Sequence, residues 1–429
     1  MKHGILQRGG RLLLLAFLAG GPGEGILQAD PVPVELLDIR GSLQLLRDGE
    51  PYFIKGAGGN GDLGLLAAIG GNSVRTWGDT TVEFLDRAHA AGLSVCVGLW
   101  IEHERHGFDY GDDAAVAAQI ERHCRVVDRL KDHPAVLMWG IGNEVELQYT
   151  NPRVWDVIEA VAAHIRKVDP HHPTMTVIAQ APEREIHEIM ERCPSIDILG
   201  CNSYGGIGIL AGQILGAGWE KPYIVTEWGS DGNWEVDKTS WGAEIEASST
   251  KKARQRALRY GLIAGDRENC LGGYAFNFGN KMETTPTWFG MFLPDGSRTE
   301  SVDVLQYLWT GTPPEHPAPR IGSLLLNGLP AEDSVSVKAG ESLVAEVQVL
   351  DGHPDSLQAE WRLLAENLRK GLGGDREPHP EELALDPQAS GPRGIRFTAP
   401  EEPGAYRLFL YVRNKNGGAA TANFPFRVE

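Results

Sequence analysis

Eight short apolar runs, each bounded by turn residues, recur through the first two thirds of the chain: Tyr52 to Ala57, Asn72 to Thr76, Leu93 to Leu99, Ala135 to Ile141, Thr174 to Ile178, Ile196 to Cys201, Tyr223 to Thr226 and Gly273 to Phe276. Near-continuous hydrophobicity, rather than strict alternation, marks strands covered on both faces, as in a parallel sheet. The segments between them have helical periodicity. From Asp112 to Lys131, Val116, Ile120, Cys124, Val127 and Leu130 fall at three- and four-residue steps and form one apolar stripe. A second helix carries Val154, Val157, Ile158, Val161 and Ile165, with Asn151 as its cap and Pro152 in its first turn. A third runs from a Thr250 cap to about Leu262. The weakest helices are the one compressed into Asp62 to Ile69 and the Gly-rich segment after the sixth strand. Eight strand-then-helix units with right-handed crossovers predict a (β/α)8 barrel.

The flanks have a different texture. Val32 to Tyr52 predicts a lead-in hairpin turning at Asp48-Gly49. The stretch Gly311 to Pro317 is a Pro-rich linker, and beyond Arg320 strand-like runs appear at Ser342 to Leu350, Gly394 to Thr398 and Ala405 to Val412. Glu360 to Arg369 is the one candidate helix there. The expected organisation is a leader over residues 1–30, a barrel domain over 31–311, a linker over 312–319 and a smaller all-β, Ig-like sandwich over 320–429. In the leader, Lys2, Arg8 and Arg11 precede the apolar run Leu12 to Leu18, the layout of a secretory signal. That run is too short for a bilayer-spanning helix, so the expectation is a secreted or periplasmic protein without stable membrane insertion once the signal is cleaved.

A formal net charge of −18 and the lack of clustered Lys and Arg exclude a backbone-tracking nucleic-acid binder. The five cysteines follow no CxxC spacing; Cys96 and Cys201 lie in strands and Cys124 on an apolar helix face, where thiols act as small hydrophobes. Glu102-His103-Glu104-Arg105-His106 has two residues between its histidines where HExxH needs three, so no metal and no cofactor are implied. His103 and Glu104 are instead candidate substrate contacts.

Two glutamates are the candidates for the chemistry, each expected to end a strand: Glu144 the fourth, in LMWGIGNE, and Glu227 the seventh, in PYIVTEWG. Barrel enzymes keep their reactive groups at the carboxyl ends of the strands. Two carboxyl groups about 5 to 5.5 Å apart can cleave a glycosidic bond with retention, one as nucleophile and the other as acid and then base. Each would disfavour ionisation of the other, raising the pKa of the acid. Trp77, Trp100, Trp228, Trp234, Trp241 and Trp288 fall at strand ends or in loops of the same rim, where flat rings suit the C–H faces of sugars.

Asn143-Glu144 and Glu227 resemble the pattern of the clan A (β/α)8 glycoside hydrolases, and over about Gly49 to Gly311 the chain resembles the family 2 catalytic barrel of β-galactosidases, β-glucuronidases and β-mannosidases. FIKGAGG followed by NSVRTW is similar to β-1,3-glucanosyltransferases. The resemblance implies an exported retaining β-glycosidase, with Glu144 as acid/base, Glu227 as nucleophile, Asn143 at the sugar 2-hydroxyl, and Arg75 and Tyr204 as partners of the nucleophile. Asn202, in NSYG, joins Arg75, Asn143, Tyr204, Trp77, Trp100, His103, Trp228 and Trp288 as a candidate substrate-binding residue. The expected partner is a β-linked oligo- or polysaccharide. Alternatives are a β-glucan transglycosylase with the same two glutamates and a non-catalytic glycan-binding protein. Two features depart from family 2. Its usual β-sandwich before the barrel is replaced here by a short lead-in, and its common eighth-strand tryptophan by Phe276, Asn277 and Phe278.

Overall fold

The computed structural model describes residues 30–350, 356–367 and 369–429, so the leader lies outside the described residues. Eight parallel strands close into a barrel: β1 (Ile54–Gly58), β2 (Ser73–Arg75), β3 (Ser94–Leu99), β4 (Val136–Ile141), β5 (Thr174–Ala179), β6 (Ile198–Asn202), β7 (Tyr223–Trp228) and β8 (Cys270–Phe276). Each pairs with its neighbour in sequence, and β8 returns to β1 with Gly272 opposite Ile54 and Phe276 opposite Gly58. The helices α1 (Leu63–Ala68), α2 (Val82–Ala90), α3 (Asp113–Leu130), α4 (Arg153–Val168), α5 (Glu183–Arg192), α6 (Ile207–Gly216), α7 (Ser249–Gly265) and α8 (Glu300–Thr310) form the outer layer.

Local chemistry sets the helix starts. Asp112 opens α3 by accepting from Ala114 and Ala115 N–H, and Asn151 Oδ1 accepts from Arg153 N–H at the start of α4. Ser248, not Thr250, caps α7: its hydroxyl accepts from Lys251 N–H, while Thr250 Oγ1 is taken by Ile321 N–H from the following domain. All five cysteines are free thiols, and all but the half-buried Cys124 are buried.

The lead-in is a three-stranded ribbon, Val34–Ile39, Ser42–Arg47 and Glu50–Pro51, so a turn at Arg40-Gly41 joins the one at Asp48-Gly49. Val34 and Leu45 pack with Ile54, Leu137, Met175, Ile198 and Ile224, the side chains filling the barrel interior. Val34 N–H reaches His171 O before β5, and Leu43 N–H reaches Glu268 O before β8. The ribbon therefore covers the amino-terminal end of the barrel, leaving the carboxyl end for the site.

After α8 the chain builds two sheets that face each other across Leu343, Phe397, Leu408, Leu410, Phe424 and Phe426. The segment expected as a helix around Glu360 is instead the strand Gln358–Ala365, antiparallel to Gly404–Arg413. Ala359, Trp361 and Leu363 alternate onto the core, and that period of two outweighs the helix-favouring Glu and Leu content.

The two folded parts share a polar seam. Arg298–Thr299, before α8, forms a strand beside Gly418–Ala419 in the larger sheet. Buried Arg407 donates to Glu244 O at 2.9 Å, and Asn423 donates to Glu246 Oε2 at 2.5 Å. A Pro-rich connector suggests a detachable module; these buried polar contacts do not.

Candidate active site

The carboxyl ends of the strands bring the candidate residues to one place. Arg75 ends β2, Asn202 ends β6, and Glu227 is the penultimate residue of β7. Glu144 lies just past β4 rather than in it. Gly142 (φ +78°) bends the chain, Glu144 itself takes φ +51°, and its N–H is fixed to Val177 O of β5 at 2.8 Å. A non-glycine residue with positive φ is uncommon and costs free energy, which the surrounding hydrogen bonds must offset.

Three donors converge on Glu227. Arg75 Nη1 lies 3.0 Å and Trp77 Nε1 2.9 Å from Oε1, and Tyr204 Oη lies 2.9 Å from Oε2. Glu144 receives one side-chain donor, Asn202 Nδ2 at 2.9 Å from Oε1. Asn143 Oδ1 accepts from Arg75 Nη2 at 2.6 Å and from Asn202 Nδ2 at 3.1 Å, tying the two carboxyl environments into one network. Burial, and then the charge of Glu227, push the Glu144 carboxyl up to about 7. Burial and the Glu227 charge also hold the Tyr204 phenol well above its ordinary value, so it remains a donor.

These groups open into a pocket of about 300 Å3 whose lining includes Trp77, Trp100, Asn143, Glu144, Tyr204, Glu227, Trp234 and Phe276. Lys281 and Glu283, from the loop after β8, are also in the wall; Lys281 Nζ lies 2.7 Å from Glu283 Oε2. The remaining side comes from the β-sheet domain. Its turn Gly373-Gly374-Asp375 reaches the pocket, with Asp375 Oδ1 2.9 Å from His106 Nε2 and 3.3 Å from Arg105 Nη2. Gly374 O accepts from Lys281 Nζ at 2.8 Å. Gly373, at φ +58°, is packed so closely that a Cβ there would lie 3.0 Å from Glu144 Oε2 and 2.8 Å from Leu147 Cδ1.

Not every aromatic expected at the mouth is there. Trp228 is fully buried and packs against Tyr260 of α7 with the rings tilted by 34°: it follows Glu227 on a strand, so alternation turns it to the helix layer. Trp288 is 1% exposed, donates to Asp231 O, and supports the pocket from behind with Phe289. Trp241 is absent from the pocket wall, leaving Trp77, Trp100 and Trp234 as its tryptophans. His103 is buried behind Trp100, with ring centroids 4.9 Å apart, and burial beside Arg105 depresses its pKa to about 3, so it is a neutral stacking partner. Glu104 is not aimed at substrate either; it accepts from Asn151 N–H and the Thr150 hydroxyl, holding the start of α4.

One buried acid escapes a sequence reading altogether. Glu146 Oε1 accepts from Ala179 N–H at 2.6 Å while Oε2 has no partner, and burial followed by the charge of Glu144 raises its pKa to about 8. Among the described residues no group of three or more His, Cys, Asp or Glu is placed to hold a metal ion, and no helix is long and apolar enough to cross a membrane.

Residues 61–234, the span supplying most of this network, match the model of the TIM barrel domain of family 2 glycosyl hydrolases. Over that span the chain is similar to the family 2 barrel. Among curated relatives, rat (Rattus norvegicus) β-glucuronidase is 24% identical over 47% of this chain and 34% of its own length. Human (Homo sapiens) β-glucuronidase is 22% identical over 60% of this chain and 42% of its own. The chain thus spans less than half the length of these curated relatives. Among solved structures, the FMN-binding β-glucuronidase from Facaelibacterium prausnitzii L2-6 superposes with a TM-score of 0.50 and 16% identity, covering 92% of this chain and 59% of that one. At that identity the likeness speaks for the fold alone.

Proposed function

We propose that the protein is an exported retaining β-glycosidase of the family 2 type, working by double displacement. The observation that carries this reading is the asymmetry of the two carboxyl groups. Glu227, fixed by Arg75, Trp77 and Tyr204, attacks the anomeric carbon. Glu144, its pKa raised toward neutrality, gives its proton to the departing oxygen. The glycosyl-enzyme then forms at Glu227, and Glu144, now ionised, takes the proton from the incoming water or sugar hydroxyl.

The named relatives act on β-glucuronides, but the charges of this pocket favour an uncharged sugar unit. Its one lysine, Lys281, is already paired with Glu283, and Arg105 and His106 at its edge are taken by Asp375, so a sugar carboxylate would meet Glu227 with no positive group of the pocket lining left over to balance it. The aromatic faces of Trp77, Trp100 and Trp234 fit a pyranose. The test is to incubate the protein with 2-deoxy-2-fluoro β-glycosides of glucose, galactose and mannose and to map the adduct by mass spectrometry. Labelling of Glu227, and product of unchanged anomeric configuration by proton NMR, is expected. First-formed product of the opposite anomer would remove the double-displacement mechanism.

A further inference from the structure

The acid side of the pocket is closed by a segment outside the barrel, and it is held there from several directions. Asp375 is clamped by Arg105 and His106 from the loop after β3. Lys281 holds Gly374 O from the loop after β8. Glu377 accepts from Thr284 N–H at 2.7 Å and from Gly371 N–H at 2.9 Å, fixing the base of the turn to the same loop. The backbone between these anchors, Gly373-Gly374, has no side chain; Gly373 lies against the Glu144 carboxyl and Gly374 against the Lys281 ammonium. Trp100 lines the same pocket, its indole braced by His103 and His106 with interplanar angles of 26° and 10°. His106 thus serves both walls, stacked on the Trp100 side and ion-paired with Asp375 on the other.

A group that protonates the leaving oxygen stands beside whatever leaves. This inference rests on Glu144 being that acid. We propose that the Gly373-Gly374-Asp375 turn and Trp100 form the subsite for the leaving-group sugar, so that the β-sheet domain sets which glycosides are cleaved and favours a sugar over a small aryl group. An indole face suits the C–H face of a pyranose, and peptide groups bare of side chains can approach its hydroxyls closely. In the second half of the reaction the same subsite would hold an acceptor sugar.

The experiment compares two substrate types, β-linked disaccharides of glucose, galactose and mannose, and the 2,4-dinitrophenyl β-glycosides of the same sugars. The dinitrophenyl group occupies little of the subsite and needs no proton, so only the disaccharides report on both. For the full-length protein, Asp375→Ala and Trp100→Ala are each expected to lower the ratio of kcat/KM for disaccharide over dinitrophenyl glycoside by at least about tenfold, mainly through KM. Asp375→Asn preserves size and fold if the alanine variant is unstable, and should lower the ratio in the same direction. An equal loss on both substrate types, leaving the ratio within about twofold, would mean that the turn only supports the fold and would overturn the proposal. Wild-type protein inert toward every probe, with no fluoro-sugar adduct on Glu227, would overturn the hydrolase reading and this inference with it.

Discussion

Asn202 Nδ2 lies 2.9 Å from Glu144 Oε1 and is the one side-chain donor on that carboxyl group among the described residues. The bond favours the ionised form and so limits how far burial and Glu227 raise the Glu144 pKa. In the proposed mechanism activity needs Glu144 protonated, so kcat/KM should fall as pH rises through about 7. Asn202→Ala removes the bond and should move this basic limb to higher pH. It should also reduce kcat/KM by about tenfold or more, because a hydrogen bond to a charged group contributes about 1.5 to 3 kcal/mol. A pH–rate profile of both proteins checks the direction; a limb that stays in place would mean that another group titrates there.

On the proposed reading, the pocket charges should make glucuronides poor substrates. An aryl β-glucuronide should be cleaved at least about tenfold less efficiently than the best neutral glycoside, since a sugar carboxylate would find Lys281 already paired with Glu283 and no other lysine in the pocket lining. Glu283→Gln keeps the shape, releases Lys281 from its ion pair and should narrow the gap. Steady-state kinetics on paired aryl glycosides decide; a glucuronide preferred by the wild type would reverse the substrate reading.

Glu146 makes stability fall with pH. Its folded pKa of about 8 lies above the ordinary value of 4.5, so between these values the folded protein keeps a proton that the unfolded chain has lost. Stability from this group is therefore full below about 4.5 and is lost as pH rises through 8. Glu146→Gln holds the same hydrogen-bonding size without the proton, so its Tm should exceed the wild-type value at pH 8 and approach it at pH 5. Thermal melts across this range are the measurement; parallel curves would show that the Glu146 proton is not linked to folding.

Ending the chain at Gly311 should not release a sound barrel. The cut leaves Arg298–Thr299 without its partner strand and uncovers the buried polar residues Glu244, Glu246 and Thr250. The shortened protein should aggregate or melt well below the full chain in scanning calorimetry, whereas an unchanged barrel Tm would mean that the seam contributes little.

The barrel was readable because both-faces-covered strands and amphipathic helices leave plain marks, and the two glutamates because each stands at the carboxyl end of an apolar run. Arg75, Asn143, Asn202 and Tyr204 were legible through the short motifs around them, and the structure brings all four into one hydrogen-bond network. Trp228 and Trp288 were misplaced because proximity in sequence to a site residue does not fix which face a side chain takes. Asp375 could not have been found, since its partners Arg105 and His106 belong to a distant stretch of chain and Gly-rich segments commonly signal only turns. Glu146 was hidden for a similar reason: the N–H that its carboxyl accepts from is that of Ala179, on the neighbouring strand.

Gly373 carries a consequence for descent. Its backbone sits at φ +58°, and any side chain there would press on Leu147 and on the Glu144 carboxyl. Any codon change away from glycine at this one position of the β-sheet domain would thus be felt at Glu144 in the barrel. Exchange for a homologous sandwich would succeed only if the newcomer brought a glycine to the same spot. Although a Pro-rich connector joins them, a substitution in the sandwich can therefore be read out in the barrel.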